Sequence, residues 1–112
     1  MFGTAGTARI WLWQGPCDLR SGIDRLCGLV EEHFADDSLS GAYFVFLSRG
    51  RDKIKILWWD RDGHCLWHKR LAQGTFTPPA AHDGKACISP AQLQLLLHGI
   101  TPKRQSRRWE KP

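Results

Sequence analysis

Residues 49–60 read Arg-Gly-Arg-Asp-Lys-Ile-Lys-Ile-Leu-Trp-Trp-Asp, and the rest of the chain is organised around them. Lysine alternates with isoleucine from Lys53 to Ile56, and a period of two among β-branched and aromatic residues is typical of a strand with two different faces. The cations precede the apolar run and the tryptophan pair. We interpret the stretch as a firmly packed strand within a basic hairpin.

Further strands are predicted on both sides of this stretch. Residues 42–48 are apolar on both faces, which predicts a central strand with a layer on each side. Residues 60–63 have the composition of a compact hairpin turn, after which residues 64–71 return. These three strands predict an antiparallel meander, and residues 8–13 are a further strand that can extend it.

A first helix is predicted after the turn that follows residues 8–13. Its apolar stripe recurs at steps of three and four, through Leu19, Ile23, Leu26, Val30 and Phe34. The stretch from Ser21 to Asp24 has the spacing of a capping box, and Asp18 is a competing cap one turn earlier. The helix is expected to end near residue 35.

A second helix has sequence signals at both ends. Ser89 is the expected N-cap, Pro90 the first helical residue, Gln92 the partner in a capping box and Gly99 the stop. Its predicted buried side consists of Leu93, Leu96, Leu97 and Ile100.

The sequence therefore predicts a small single α+β domain, with an antiparallel meander of three to four strands packed against two helices. We assign residues 1–101 to this domain and residues 102–112 to a basic, mobile C-terminal tail. Residues 72–85 are predicted to form a long loop. Most of the six tryptophans are expected in the core, with Trp109 of the tail as the exception.

Charge is distributed unevenly along the chain. The net charge is +5, but residues 1–48 carry three Arg against six acids, whereas residues 49–112 carry thirteen cations against five acids. Such an excess is typical of proteins that bind polyanions, because phosphate neutralisation releases counterions. A solvated basic surface without a partner is the alternative interpretation.

The cations that we predict to bind nucleic acid lie in three places: the turn and strand of residues 49–60, the end of the following strand, and the tail. Period-two geometry points Lys53 and Lys55 to the same face. The tail is either a solvated, mobile end or an arm that becomes ordered on phosphate. The candidate binding residues are Arg49, Arg51, Lys53, Lys55, Lys69, Arg70, Lys103, Arg104, Arg107 and Arg108.

No metal, cofactor or catalytic site is predicted. The four cysteines include no Cys-x-x-Cys pair, and on one strand Cys65 faces away from His64 and His68. No phosphate-binding glycine loop and no nucleophile elbow occurs. Aspartates that could in principle hold Mg²⁺ for a nuclease have simpler explanations as helix caps and turn residues; they are Asp18, Asp24, Asp52, Asp60 and Asp62.

Localisation is predicted from what the sequence lacks. No apolar stretch approaches the length of a membrane span, and residues 1–7 show no export signal. We therefore expect a cytoplasmic protein without a membrane partner, whose cysteines stay reduced. The sequence does not define the oligomeric state.

Over most of its length the chain resembles a known family, the TnpB-type accessory protein (second open reading frame) of the bacterial insertion sequences of family sixty-six. The order and spacing of the matching segments make the resemblance specific. Two departures are Ser21 where a lysine is usual and Arg25 where a glycine is usual. The matching segments are residues 17–24, 39–46, 49–60 with Gly63, 69–71 with Gly74 and Phe76, and 92–100.

The resemblance implies a small protein that is encoded beside a separate transposase, is needed for transposition and has no catalytic triad of its own. It implies the transposase of the same element as a partner, but no active site. Our first hypothesis is thus a non-catalytic accessory protein that binds DNA through the basic hairpin and the tail. The alternatives are a protein-interaction module that bridges the transposase complex without touching DNA and, third, a metal-dependent nuclease.

Overall fold

The computed structural model describes residues 9–15, 17–20, 22–34, 38–79 and 84–99, which form five strands and two helices. In chain order these are β1 (Ile10–Trp13), α1 (Ile23–His33), β2 (Tyr43–Leu47), β3 (Lys53–Asp60), β4 (Gly63–Arg70), β5 (Lys85–Ile88) and α2 (Pro90–His98).

The strands form one sheet in the order β4-β3-β2-β1-β5. β2 pairs antiparallel with β3, and β3 pairs antiparallel with β4, so the predicted meander is confirmed. β2 lies in the middle of the sheet, and all five of its residues are buried. This is the burial expected of a strand that is apolar on both faces.

The sheet is mixed and has five strands, so the prediction of an antiparallel sheet of three to four strands was wrong in the direction of one pairing and in the number of strands. β1 runs parallel to β2, with Ile10 opposite Tyr43, because α1 returns the chain to the starting end of the sheet between them. β5 was not predicted, and it pairs antiparallel with the other side of β1, with Ile88 opposite Ile10. The α+β class and the two helices are confirmed.

A helix covers each face of the sheet. We call the two sides the α1 face and the α2 face. On the α1 face, Leu26 and Val30 of the helix pack with Phe44, Phe46 and Leu57. The α2 face carries a second cluster, in which the helix residues Leu93, Leu96 and Leu97 pack with Val45, Ile54 and Ile56. Burying each large apolar side chain contributes about 1.5–3 kcal/mol, so these two clusters hold the layers together.

Four of the five tryptophans in the described residues contact these clusters, and the predicted position in the core is confirmed for Trp13. Trp13 is buried within the α1-side cluster. Trp11 is half-buried against the same cluster, whereas Trp58 and Trp67 are half-buried against the α2-side cluster. Trp59 is half-buried, with its ring centroid 4.9 Å from that of His64.

The β1–α1–β2 crossover positions two loops side by side. Because β1 and β2 are parallel, both strands end at the same edge of the sheet. The loop that leaves β1, here called the β1–α1 loop (residues 14–22), therefore begins next to the loop that leaves β2, the β2–β3 loop (residues 48–52). Ligands of sheets with such crossovers commonly bind beyond the carboxyl ends of parallel strands.

The two helix starts differ in how well the sequence predicted them. Ser89 caps α2 as expected, since its hydroxyl accepts from Gln92 N–H and the Gln92 side chain accepts from Ser89 N–H. The capping box predicted for α1 was wrong, because Gly22 is the N-cap and no side chain caps it. Ser21 itself lies outside the described residues. Asp18 instead accepts from the backbone N–H of Arg20, within the loop.

Some predictions fall outside the part of the chain that the structure describes. These are the lead-in of residues 1–8, Ile100, and the tail of residues 102–112 with its four candidate cations. In the described residues, no helix has both the length and the apolar character needed to cross a membrane.

Candidate nucleic-acid interface

The pairing of β3 with β4 sorts the predicted cations between the two faces. Lys53 lies opposite Arg70, and Lys55 lies opposite His68. Residues directly opposite one another in an antiparallel pair share a face, and Leu57, two residues further along β3, belongs to the α1-side cluster. Lys53, Lys55, His68 and Arg70 therefore lie on the α1 face.

Lys69 does not join them. It lies opposite Ile54, which belongs to the α2-side cluster, and so projects from the α2 face. Lys69 and Arg70 were both predicted to bind nucleic acid together with the cations of β3. The structure brings Arg70 there and sends Lys69 to the other side of the sheet.

An open groove of about 720 Å³ runs between the β1–α1 loop and the ends of β3 and β4. We call it the basic groove. Its lining includes five cations against two acids. The cations are Arg20, Arg49, Lys53, Lys55 and Arg70, the acids are Asp18 and Asp52, and Cys17, Leu19, Ser48, Gly50 and His68 complete the lining.

A smaller and more enclosed cavity of about 280 Å³ continues the groove at the carboxyl ends of β1 and β2. We call it the end pocket. The two cavities share Cys17, Ser48 and Arg49 as lining residues. Arg51 lines only the end pocket, together with Gln14, Gly15 and Leu47. Arg51, a predicted binding residue, thus lines this pocket and not the basic groove.

Hydrogen bonds fix the β2–β3 loop that carries these arginines. Ser48 Oγ donates to Asp52 Oδ1 at 3.2 Å and accepts from the Lys53 backbone N–H at 3.1 Å. The Arg51 backbone N–H donates to Ser48 O, and the Arg51 carbonyl accepts from the Phe76 N–H. The backbone of a loop held in this way needs little ordering on binding, so the entropy cost falls mainly on the arginine side chains.

Arg51 adopts a left-handed backbone conformation, with φ of 61°. Such a conformation costs a residue with a Cβ about 1 kcal/mol or more, and glycine adopts it freely. Arg61, in the turn between β3 and β4, has the same conformation, with φ of 57°. These two arginines form a pair that is matched in backbone conformation but lies at opposite ends of β3.

Both acids of the groove are held in the charged form by neighbouring donors. The side-chain hydrogen bond from Arg20 lowers the pKa of Asp18, and the hydrogen bond from the Arg20 backbone adds to this effect. Burial pushes the pKa of Asp52 upward, but hydrogen bonds from Ser48 and the nearby Lys53 outweigh it, so that the pKa is lowered. Each acid thus offsets part of the charge of one cation.

The remaining titratable side chains leave the groove positive. Burial and the Asp18 carboxylate raise the pKa of the Cys17 thiol, although Lys55 acts in the other direction. Partial burial, followed by the charges of Lys55, Lys53 and Arg70, lowers the pKa of His68. At neutral pH the thiol is protonated and the imidazole is neutral.

Lys55 is the most buried cation of the groove, with only 8% of its surface exposed. It lies between Phe46 on β2 and His68 on β4. A long lysine side chain can pack its methylene groups against such neighbours and keep its charged end toward a polar cavity. The lysine–isoleucine alternation predicted the face of Lys55 but not its burial, which requires knowing its neighbours on both sides.

Sequence reasoning missed the β1–α1 loop as part of the site. Arg20 and Cys17 line the groove because β1 and β2 are parallel, and a pattern within one strand contains no information about the direction of its neighbour. His68 was considered only as a metal ligand. Its position two residues before Arg70 on a strand is the signal that indicates a shared face.

In the described ranges, no three His, Cys, Asp or Glu side chains are placed so that they could hold a metal ion together. Cys27 Sγ lies 3.6 Å from His64 Nε2. Cys17, Cys27, Cys65 and Cys87 are free thiols. Asp60 and Asp62, which the nuclease hypothesis needs, lie at the far end of β3, in and beside its turn.

The chain is similar to one protein family and to two bacterial proteins along nearly its whole length. A family model described as "IS66 Orf2 like protein" matches residues 8–107. An uncharacterised protein of Sinorhizobium fredii, y4hO, is 38% identical over 109 residues, which cover 97% of this chain and 95% of the relative. A second uncharacterised protein of that bacterium, y4jC, is 32% identical over 108 residues, covering 96% and 92%. No solved structure matches the chain.

Proposed function

The chain belongs to the IS66 Orf2-like protein family, and from this premise we propose that it is a non-catalytic accessory protein that supports transposition by binding DNA in the basic groove. Membership makes the chain an insertion-sequence-associated accessory protein. DNA binding, a cytoplasmic location and action beside the transposase of the same element are parts of the proposal.

The observation that carries the proposal is the charge of the groove. Five cations from three separate chain segments converge on one cavity that contains two acids, and both acids are already paired with cations. Cations that line one groove can neutralise neighbouring phosphates of a nucleic acid, and the counterions released on contact favour binding. The fixed β2–β3 loop adds to affinity because its backbone needs little ordering on contact.

Arg70 and Lys69 allow a matched test, because they are neighbours in sequence but lie on opposite faces of the sheet. Arg70→Gln is expected to weaken binding of duplex DNA and to reduce the slope of log K against log salt by about 1, since one phosphate contact is lost. Lys69→Gln removes the same charge from the α2 face and is expected to leave the slope unchanged. Fluorescence anisotropy over a salt series measures both.

Equal slopes for the two variants would contradict binding in the groove. Binding of the unaltered protein that does not respond to salt would contradict the proposal as a whole.

The edge of the sheet favours a second candidate function. β4 is an edge strand, and its outer side pairs with no strand among the described residues. Such an edge is a template for a strand of another protein. The chain would then be an interaction module that bridges the transposase complex without touching DNA. Retention of the transposase on the immobilised protein after nuclease treatment, together with no salt-dependent DNA binding, would favour this candidate.

A further inference from the structure

The two ends of the basic groove differ, because one of them leads into the end pocket. The groove is open along its length, whereas the pocket at the carboxyl ends of β1 and β2 is smaller and more enclosed. Ser48 and Arg49 line both cavities, so a chain of phosphates that lies in the groove leads directly to the pocket.

Hydrogen bonds hold the far wall of the pocket in place. Gln14 Nε2 donates to the carbonyl of Pro79 at 2.9 Å, and the Gln14 backbone N–H donates to the carbonyl of Gly84 at 2.7 Å. Gln14 is therefore tied to two segments that are distant in sequence. Gln14 lines the pocket but not the groove, so these bonds fix a part of the lining that the groove does not share.

The size and charge of the end pocket indicate which part of a DNA molecule it can hold. Its volume of about 280 Å³ lies just below the range of about 300–1,000 Å³ that holds drug-sized ligands, so a phosphate with its sugar fits better than a base pair. Arg49 and Arg51 both line it. A terminal phosphate monoester carries a charge of about −1.5 to −2 at neutral pH, more than the single charge of an internal phosphodiester.

We propose that the end pocket receives the phosphorylated end of a DNA strand whose backbone lies in the basic groove. This inference rests on the proposed function, because it names which part of a DNA molecule the site recognises. Arg51 contributes by charge, because it lines the end pocket and not the groove. The protein is thus a binder of DNA ends.

The experiment uses one duplex sequence in four forms: with 5′-phosphates, with 3′-phosphates, with hydroxyl ends only, and closed by a hairpin loop at each end. Affinities are compared by fluorescence anisotropy at equal ionic strength. We expect one of the phosphorylated forms to bind about tenfold more tightly than the hydroxyl form, the gain of one additional charge-assisted contact. The closed form is expected to bind no more tightly than the hydroxyl form.

Arg51 and Arg61 have the same left-handed backbone conformation and therefore provide a matched pair of variants. Arg51→Gly is expected to bring the ratio of affinities for phosphorylated and hydroxyl ends close to one, and glycine suits the backbone at this position. Arg61→Gly makes the same change in a turn that lines neither cavity, at the other end of the eight-residue strand β3, about 25 Å away. It is expected to keep the ratio. Lys53→Gln is expected to weaken both forms alike.

Equal binding of all four forms would overturn the recognition of ends while leaving DNA binding intact. Absence of salt-dependent binding to every form would overturn the proposed function, and the inference with it.

Discussion

His68 lines the basic groove and is the residue through which we expect DNA binding to depend on pH. The imidazole lies opposite Lys55 and faces Lys53 and Arg70, and partial burial with these charges lowers its pKa. In the free protein this lowered pKa makes a small contribution to stability that is present above the ordinary histidine pKa of about 6.5 and lost as the pH falls below it. A phosphate in the groove has the opposite effect, because it stabilises the imidazolium and raises the pKa of His68.

DNA binding is therefore expected to take up a proton at His68. Affinity for a duplex should increase several-fold when the pH is lowered from about 7.5 to about 5.5, across the ordinary histidine pKa. His68→Gln should flatten this dependence. His98→Gln, which changes an exposed histidine on α2, is the control and should not. Anisotropy titrations at constant ionic strength measure the effect, and an affinity that falls with acidification would contradict it.

At the scale of elements, the β1–α1 loop belongs to the site only because β1 and β2 are parallel. Asp18 lies in this loop and lines the groove, whereas Asp24, in the first turn of α1, does not. Asp18→Asn removes a negative charge beside bound phosphates, and its amide oxygen can still accept from the Arg20 backbone N–H. We expect this variant to bind DNA several-fold more tightly.

Asp24→Asn makes the same charge change outside the groove, so its affinity should stay close to that of the unaltered protein. Nitrocellulose filter binding at low salt, where exposed charges are least screened, gives the clearest comparison. Equal gains in the two variants would indicate a general effect of net charge instead of a groove that includes the β1–α1 loop.

The elements also show what the sequence could and could not predict. Period-two alternation and turn residues were sufficient for the β2–β3–β4 meander, and Ser89 with Pro90 was sufficient for the start of α2. β5 has only four residues, of which Ile88 alone is buried, so it gives almost no periodic signal. The parallel pairing of β1 with β2 depends on where α1 packs, which is a property of the assembled core.

For the candidate site too, the sequence predicted the part that belongs to the meander and not the part that depends on the crossover. The meander fixes Lys53, Lys55 and Arg70 on one face, and the alternation within each strand indicates this. The position of Arg20 in the groove and the presence of the end pocket both depend on the β1–α1–β2 crossover. No local pattern in the chain predicts this crossover.

In the whole molecule, α2 and the proposed binding groove lie on opposite faces of the sheet. The basic groove lies on the α1 face, whereas α2 packs on the other face through its own cluster. Ser89→Ala removes the hydroxyl that caps α2 and should lower the free energy of unfolding by about 1 kcal/mol. DNA affinity should not change at temperatures where the protein stays folded.

Leu95 provides the control for that variant, since it is on the same helix and 70% exposed. Leu95→Ala should change the free energy of unfolding by no more than about 0.5 kcal/mol. Urea unfolding followed by tryptophan fluorescence measures both variants. A loss of affinity in Ser89→Ala under folding conditions would contradict the separation of the two faces.

β1 also bears on the order in which the chain reaches its native state. Ile10 of β1 lies opposite Tyr43 of β2 on one side and opposite Ile88 of β5 on the other. β1 is synthesised before both of these strands, so it cannot be paired on both sides until β5 has been made. Hairpins such as β3–β4 need only local contacts and form quickly, whereas pairing across such a sequence separation is slow. On the ribosome, the meander can assemble while the apolar β1 is still uncovered, and closure of β1 by β5 waits until the second half of the chain has been made.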